Sequence, residues 1–207
     1  MNEKNNEMNA GQDRRVAFFD ALATHWDDDE QNPIQTVERL RSLEDYLKLA
    51  PGQRVLEVGC GTGQITGWLM EKVAPGSVTA IDFSAEMLAR AKQKNIGATF
   101  MQMDICSPIP SIGLFDLVLC FHSFPHFRDQ TQAMKAMSGL LAPNGRFVVM
   151  HLAGSKAINH FHDNAGGAVA GDHLPDEQGW KHLLNTAGLK QELLIDREDL
   201  FILRAYA

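Results

Sequence analysis

Cysteine is scarce in this chain. There are three in 207 residues, Cys60, Cys106 and Cys120, and no two form a C-x-x-C pair. A disulfide framework or a thiolate zinc site needs more of them at closer spacing. Two lie in apolar or Gly-rich runs, and all read as reduced, buried thiols. Basic charge is also short: 19 Lys and Arg against 26 Asp and Glu give a net charge of −7. Binding across a broad nucleic-acid or anionic-membrane surface relies on clustered cations to neutralise phosphates, so neither partner is expected. No apolar run approaches the ~20 residues of a membrane span. The N-terminal MNEKNNEMNAGQD is polar, without the apolar stretch of a signal peptide, so the expected location is cytoplasmic. The remainder is an ordinary globular composition, 44% hydrophobic and 22% charged, with length for one α/β domain.

Patterning divides the chain. Residues 1–12 are Asn- and Glu-rich without periodicity and are expected to form a mobile tail, leaving 13–207 as a single domain. Val16, Phe18, Phe19, Leu22 and Ala23 fall at helical spacing up to His25-Trp26, and the acidic Asp27–Glu30 follows as an expected solvated loop. A helix is predicted over Ile34 to Lys48, so 13–50 forms an N-terminal helical cap. Thereafter strands alternate with helices: strands at 54–58, 77–81, 98–103, 115–121 and 146–151, and helices at 64–73, 84–94, 130–141 and 176–187. Pro143-Asn144-Gly145 reads as a turn before the fifth strand. The segments 190–195 and 200–206 form a final hairpin. Alternation of this kind gives an α/β fold: a Rossmann-like, doubly wound seven-stranded sheet, mostly parallel with an antiparallel C-terminal hairpin. Residues 152–175, rich in Gly, Ala, His and Asn, stand apart as a substrate-covering insertion whose composition suits a mobile lid.

In sheets of this kind ligands bind at the carboxyl ends of the strands. The first strand runs into Glu57-Val58-Gly59-Cys60-Gly61-Thr62-Gly63, where glycines at alternate positions remove each Cβ that would hold a ligand off the backbone. Asp82 closes the second strand, where a carboxylate can accept both hydroxyls of a ribose. A G-x-G-x-x-G dinucleotide fingerprint fails in both registers, because Gln64 and Thr66 stand where its third glycine belongs; a G-K-[ST] phosphate loop is also absent.

VLEVGCGTG at 55–63 resembles the first motif of the class I S-adenosylmethionine-dependent methyltransferases, in the branch of the ubiquinone/menaquinone C-methyltransferases. The resemblance continues through AIDFSAEML (80–88), MQMDI (101–105), FDLVLCFHSFPHF (115–127) and LLAPNGRFVV (140–149), about half of the chain. It implies S-adenosylmethionine as cofactor. It assigns Gly59, Cys60, Gly61, Thr62 and Gly63 to the loop under methionine and ribose, and Glu57 to the neighbourhood of the amino group. Asp82 would hold the ribose, Phe83 and Met87 the ribose or adenine, and Asp104 with Ile105 the adenine edge. Phe121 and His122 would border the sulfonium, and Trp26 on the cap would cover the methyl donor or simply pack under its helix.

The acceptor is less defined. Six of eight His fall between 122 and 173. His122 and His126 follow the fourth strand and His151 ends the fifth; these are the candidate general bases, His126 or His122 foremost, since methyl transfer to a protonated nucleophile needs one. The competing readings are ligands of a metal or of a metal-bearing substrate, without H-E-x-x-H spacing to support them, and plain solvent-facing rim residues. Phe124, Phe127, Ile158, Phe161 and Val169 favour a small apolar or aromatic acceptor. His122-Ser123-Phe124-Pro125 replaces the NPPY-like tetrad of amino-methyltransferases, and the few thiols count against arsenic chemistry. The expectation is a small-molecule methyltransferase, monomeric or homodimeric, with no resident metal. The alternatives are a regulatory S-adenosylmethionine-binding protein and a methyltransferase for a metal-bearing substrate.

Overall fold

Strands and helices alternate as the patterning requires, and the strand order shows where a site must lie. The computed structural model describes residues 13–28 and 32–207. The expected tail, 1–12, and Asp29 and Glu30 of the acidic run lie outside the described residues. The strands are β1 (Arg54–Val58), β2 (Ser77–Asp82), β3 (Thr99–Gln102), β4 (Phe115–Phe121), β5 (Leu141–His151), β6 (Lys190–Arg197) and β7 (Leu200–Tyr206). They form one seven-stranded sheet ordered β3-β2-β1-β4-β5-β7-β6. β1 pairs in parallel with β2 and β4, and β7 runs antiparallel between β5 and β6. The winding direction reverses between β1 and β4, so a crevice opens beyond their carboxyl ends.

Both faces of the sheet are covered. Leu117 and Leu119 pack on one side with Leu40 of α2 (Pro33–Arg41), Leu47 of α3 (Glu44–Leu47), and Leu69 and Val73 of α4 (Thr66–Val73). Val118 and Cys120 point the opposite way, toward Met134 of α6 (Gln130–Ser138) and Trp180 of α8 (Glu177–Thr186). This period-2 division explains why the middle of β4 is continuously apolar. Between β2 and β3, α5 (Ala85–Gln93) begins where the Ser84 hydroxyl accepts the Met87 N–H at 3.1 Å, an N-cap.

Several boundaries differ from the sequence reading. The helix α1 spans Arg14–Leu22 and gives way to turns before Trp26. The helix predicted over 34–48 divides at Ser42-Leu43, where the Ser42 hydroxyl donates to the Arg39 carbonyl at 2.8 Å and competes with the helical pattern. Pro143-Asn144-Gly145 interrupts pairing inside β5: Phe115 faces Leu141, but Leu117 faces Arg146, with Asn144 at φ +63°. The insertion at 152–175 contains the helix α7 (Ser155–Ala165), and Val169 beyond it packs with Phe19 of α1 and Met87 of α5. Asp27 is not simply solvated, because its carboxylate accepts from the Thr62 hydroxyl at 2.5 Å and pairs with Lys94 at 2.7 Å. Among the described residues, no helix is long and apolar enough to cross a membrane.

Candidate active site

A pocket opens at the switch point between β1 and β4. Its floor is the glycine turn. Gly59 has φ +73° and donates its N–H to the Ile81 carbonyl at 2.8 Å; Gly61 has φ +54°. A Cβ on Gly61 would stand 3.6 Å from Trp26 Nε1 and 3.9 Å from Met87 Sδ, so the missing side chain leaves the space between them open.

Two of the three carboxylates expected at the cofactor, Asp82 and Asp104, reach the pocket. Asp82 accepts the Gly61 N–H at 2.8 Å and the Ser84 N–H at 2.9 Å, holding the turn in shape. Burial pushes its carboxyl up to about 6, against the pull of those two N–H groups. Asp104 accepts from the Cys106 N–H at 2.8 Å and the Ser107 hydroxyl at 3.0 Å, and pairs with Arg128. Burial acts to raise it, but Arg128 and these donors prevail and hold it below the usual carboxylate range.

Trp26, Gly59, Gly61, Asp82, Phe83, Met87, Asp104, Ile105, His122 and His126 all line this one pocket. Other residues with expected site roles do not. Glu57 lies under the glycine turn, with its Oε2 accepting from the Thr66 hydroxyl at 2.6 Å. Cys60 packs against Ala80 and Leu88, and the Thr62 hydroxyl is turned to Asp27. At Gly63 a Cβ would meet Ala91 and Thr66 rather than the pocket. Phe121 is in the sheet core with Leu119 and Met150.

The three candidate bases separate sharply. His151, at the end of β5, is buried and away from the pocket lining; it stacks on His122 with ring centroids 5.2 Å apart, and its Nε2 finds no partner among the described residues. Burial first, then the neighbouring imidazoles, holds it well below the ordinary histidine value. His122 borders the pocket at φ +56°, but its Nε2 accepts the Leu152 N–H at 3.0 Å. Burial, aided by Arg39 and His126, lowers it to about 4. His126, in the short 3₁₀ turn Phe124–His126, borders the pocket and places Nδ1 2.8 Å from Asp172 Oδ2.

Asp172 was missed by sequence reasoning, as were Phe19, Ser123 and Arg128. Phe19 had a signal, its place on the apolar face of α1. Asp172 had none, lying in a Gly-rich stretch 46 residues beyond His126. Among the described residues, no group of three or more His, Cys, Asp and Glu could hold a metal ion.

Residues 56–149 match the family described as methyltransferase domain. The biotin biosynthesis bifunctional protein BioCD of Bordetella avium is 29% identical over 143 residues, covering 68% of this chain and 31% of that protein. The demethylmenaquinone methyltransferase of Thermus thermophilus is 33% identical over 117 residues, covering 54% and 52%. The chain spans between about a third and just under two thirds of the length of these and other curated relatives it matches. Among solved structures, a DhpI-SAM-HEP complex superimposes with a TM-score of 0.71 at 18% identity, over 96% of this chain and 100% of that one, a likeness of fold. With the glycine turn, the strand order and the matched segment in agreement, residues 56–149 carry a methyltransferase domain, set in the Rossmann-like fold of S-adenosylmethionine-dependent methyltransferases.

Proposed function

We propose that this protein transfers a methyl group from S-adenosylmethionine to a small, apolar or aromatic molecule. The observation that carries the reading is the convergence of Gly59, Gly61, Asp82, Asp104 and the His126 imidazole on one pocket. The residues present suit the cofactor. The Asp82 carboxylate keeps lone pairs for ribose hydroxyls beyond the two it gives to backbone N–H groups. Phe19, Trp26 and Phe83 offer aromatic surface for adenine and a cation, and Met87 a thioether. Arg128, the one Lys or Arg among the described lining residues, is tied to Asp104, as befits a ligand without phosphate.

S-adenosylmethionine supplies an electrophilic methyl on a sulfonium. The protein's part is then alignment and exclusion of water. Trp26 and Phe19 would close the pocket from the cap, and the segment 152–175 would cover the acceptor. Ser123, Phe127 and His126 line the wall beyond the glycine turn. Of the three candidate bases, His126 is the one that both borders the pocket and keeps Nε2 clear of the backbone bond that occupies His122.

Calorimetric titration with S-adenosylmethionine and S-adenosylhomocysteine tests this reading. Both should bind, and Asp82→Ala should weaken binding by about 1–3 kcal/mol through lost hydrogen bonds. Absence of binding would overturn the cofactor assignment. Formation of S-adenosylhomocysteine is then followed with small-molecule and macromolecular fractions of a cell extract. Turnover with the macromolecular fraction alone would overturn the acceptor class.

A further inference from the structure

The wall of the pocket beyond the glycine turn carries an acid–base arrangement whose parts come from three separate regions of the chain. His126 follows β4, Asp172 lies in the insertion, and Arg15 belongs to α1. The Asp172 side chain is 2% exposed. Arg15 Nε reaches its two oxygens at 3.2 and 3.0 Å, and Arg15 Nη2 reaches Oδ1 at 2.5 Å. On the other side, Oδ2 faces His126 Nδ1 at 2.8 Å. Burial alone would raise this carboxyl, but hydrogen bonds from His126 and Arg15 outweigh it and keep the group below its ordinary range.

An ionised carboxylate only accepts hydrogen bonds, so the hydrogen between the two groups belongs to the imidazole. Neutral His126 is therefore the Nδ1–H tautomer, and its lone pair is on Nε2. In neutral His122 the Leu152 N–H already uses the Nε2 lone pair, which leaves the hydrogen on Nδ1 and no free acceptor nitrogen.

We propose that Asp172 is a positioning residue: by accepting from Nδ1–H of His126, it fixes the imidazole in the tautomer whose Nε2 takes a proton from the methyl acceptor. This deepens, and rests on, the methyl-transfer reading of the pocket. Such a base serves an acceptor whose nucleophile bears a removable proton, a hydroxyl or an acidic C–H group. For a hydroxyl, the proton passes to Nε2, the electron pair of the O–H bond stays on oxygen, and the resulting imidazolium faces the ionised Asp172. Arg15 joins the same carboxylate to α1, the helix that carries Phe19 into the pocket.

The test is long-range proton–nitrogen NMR of protein labelled with nitrogen-15 histidine, at mildly alkaline pH, with S-adenosylhomocysteine added as the probe. His126→Gln identifies the signal. Wild type and Asp172→Glu should show His126 protonated at Nδ1 and bare at Nε2. In Asp172→Asn the single amide oxygen is claimed by Arg15, the amide N–H turns to Nδ1, and the hydrogen should move to Nε2. An Nε2–H imidazole in wild type, or an unaltered tautomer in Asp172→Asn, would overturn the proposal. Should Asp172→Asn not fold, the wild type and Asp172→Glu still decide the question by the same criterion.

Calorimetry on the same samples separates the two readings. Asp172 is not among the lining residues of the pocket, so S-adenosylhomocysteine affinity should be unchanged by its substitution. Failure of the wild type to bind S-adenosylhomocysteine would sink the methyltransferase reading instead. With an acceptor in hand, Asp172→Asn should lower kcat by about 10²–10⁴-fold with KM for S-adenosylmethionine unchanged.

Discussion

Gly59 shows how one backbone position can carry both fold and site. Its φ is +73°, and a Cβ placed there would stand 2.4 Å from the Ser123 Cβ. Ser123 is in no position to yield, because its hydroxyl donates to the Val58 carbonyl at 2.6 Å. Gly59→Ala should therefore cost about 2–4 kcal/mol, combining backbone strain with overpacking. Gly52, at φ +86° with nothing within 4 Å of its would-be Cβ, isolates the strain alone, about 1 kcal/mol on substitution by Ala. Urea unfolding of the two variants gives the comparison, and equal losses would contradict the assigned clash. The alternating glycines were legible in the sequence. The reason for this one was not, because Ser123 meets it only after β1 and β4 pair.

At the scale of an element, α1 and the turns after it are fastened to the rest of the protein at three points. Arg15 binds Asp172, Asp20 accepts from the Ser84 hydroxyl at 2.5 Å, and Asp27 binds Thr62 and Lys94. Each contact is a polar side chain reaching a distant element, so none has a periodicity to betray it. The apolar face of the helix does, and Phe19 packs where that face predicts, edge-on to Trp26 with centroids 5.7 Å apart. Trp26 borders the pocket, whereas Trp68 and Trp180 are buried in the two main cores. Titration with S-adenosylmethionine should thus change tryptophan emission, and Trp26→Phe should abolish that change while the protein still binds. A full response persisting in Trp26→Phe would place the cap away from the ligand.

The stability of the whole molecule carries a pH signature from the carboxyl beneath the glycine turn. Burial raises Glu57 to about 8 from an ordinary 4.5; Asp82 adds to the rise, and Thr66 and Lys94 offset part of it. A folded-state value above the unfolded one means the folded protein binds the extra proton. Stability is then full below about 4.5, falls as pH climbs toward 8, and levels off beyond it. Glu57→Gln keeps an oxygen for the Thr66 hydroxyl and has no proton to lose, so its stability should decline less across that window. Asp82, raised to about 6 by burial, acts in the same sense and remains in the variant. Urea midpoints of both proteins through the window provide the check; parallel curves would show that Glu57 is not held protonated.

Local pattern was enough to determine the alternating strands and helices, the continuous apolar β4, the glycine turn, and Asp82 and Asp104 at their strand ends. Each depends on neighbours within a few residues, where periodicity and side-chain type act directly. The same pattern overestimated the helix at 34–48 and gave no sign of α7, which is tied in place by Ser155 to Asp196 of β6 and by Asn159 to the backbone of Leu174. It also placed His126, His122 and His151 together at the crevice and preferred His126 or His122 as the base, without a means to choose between them. Tertiary structure alone separated them: Leu152 occupies the free nitrogen of one, the core encloses another, and Asp172 orients the third. A hydrogen bond between residues 46 positions apart leaves no trace in spacing, because only the folded chain decides which side chains meet.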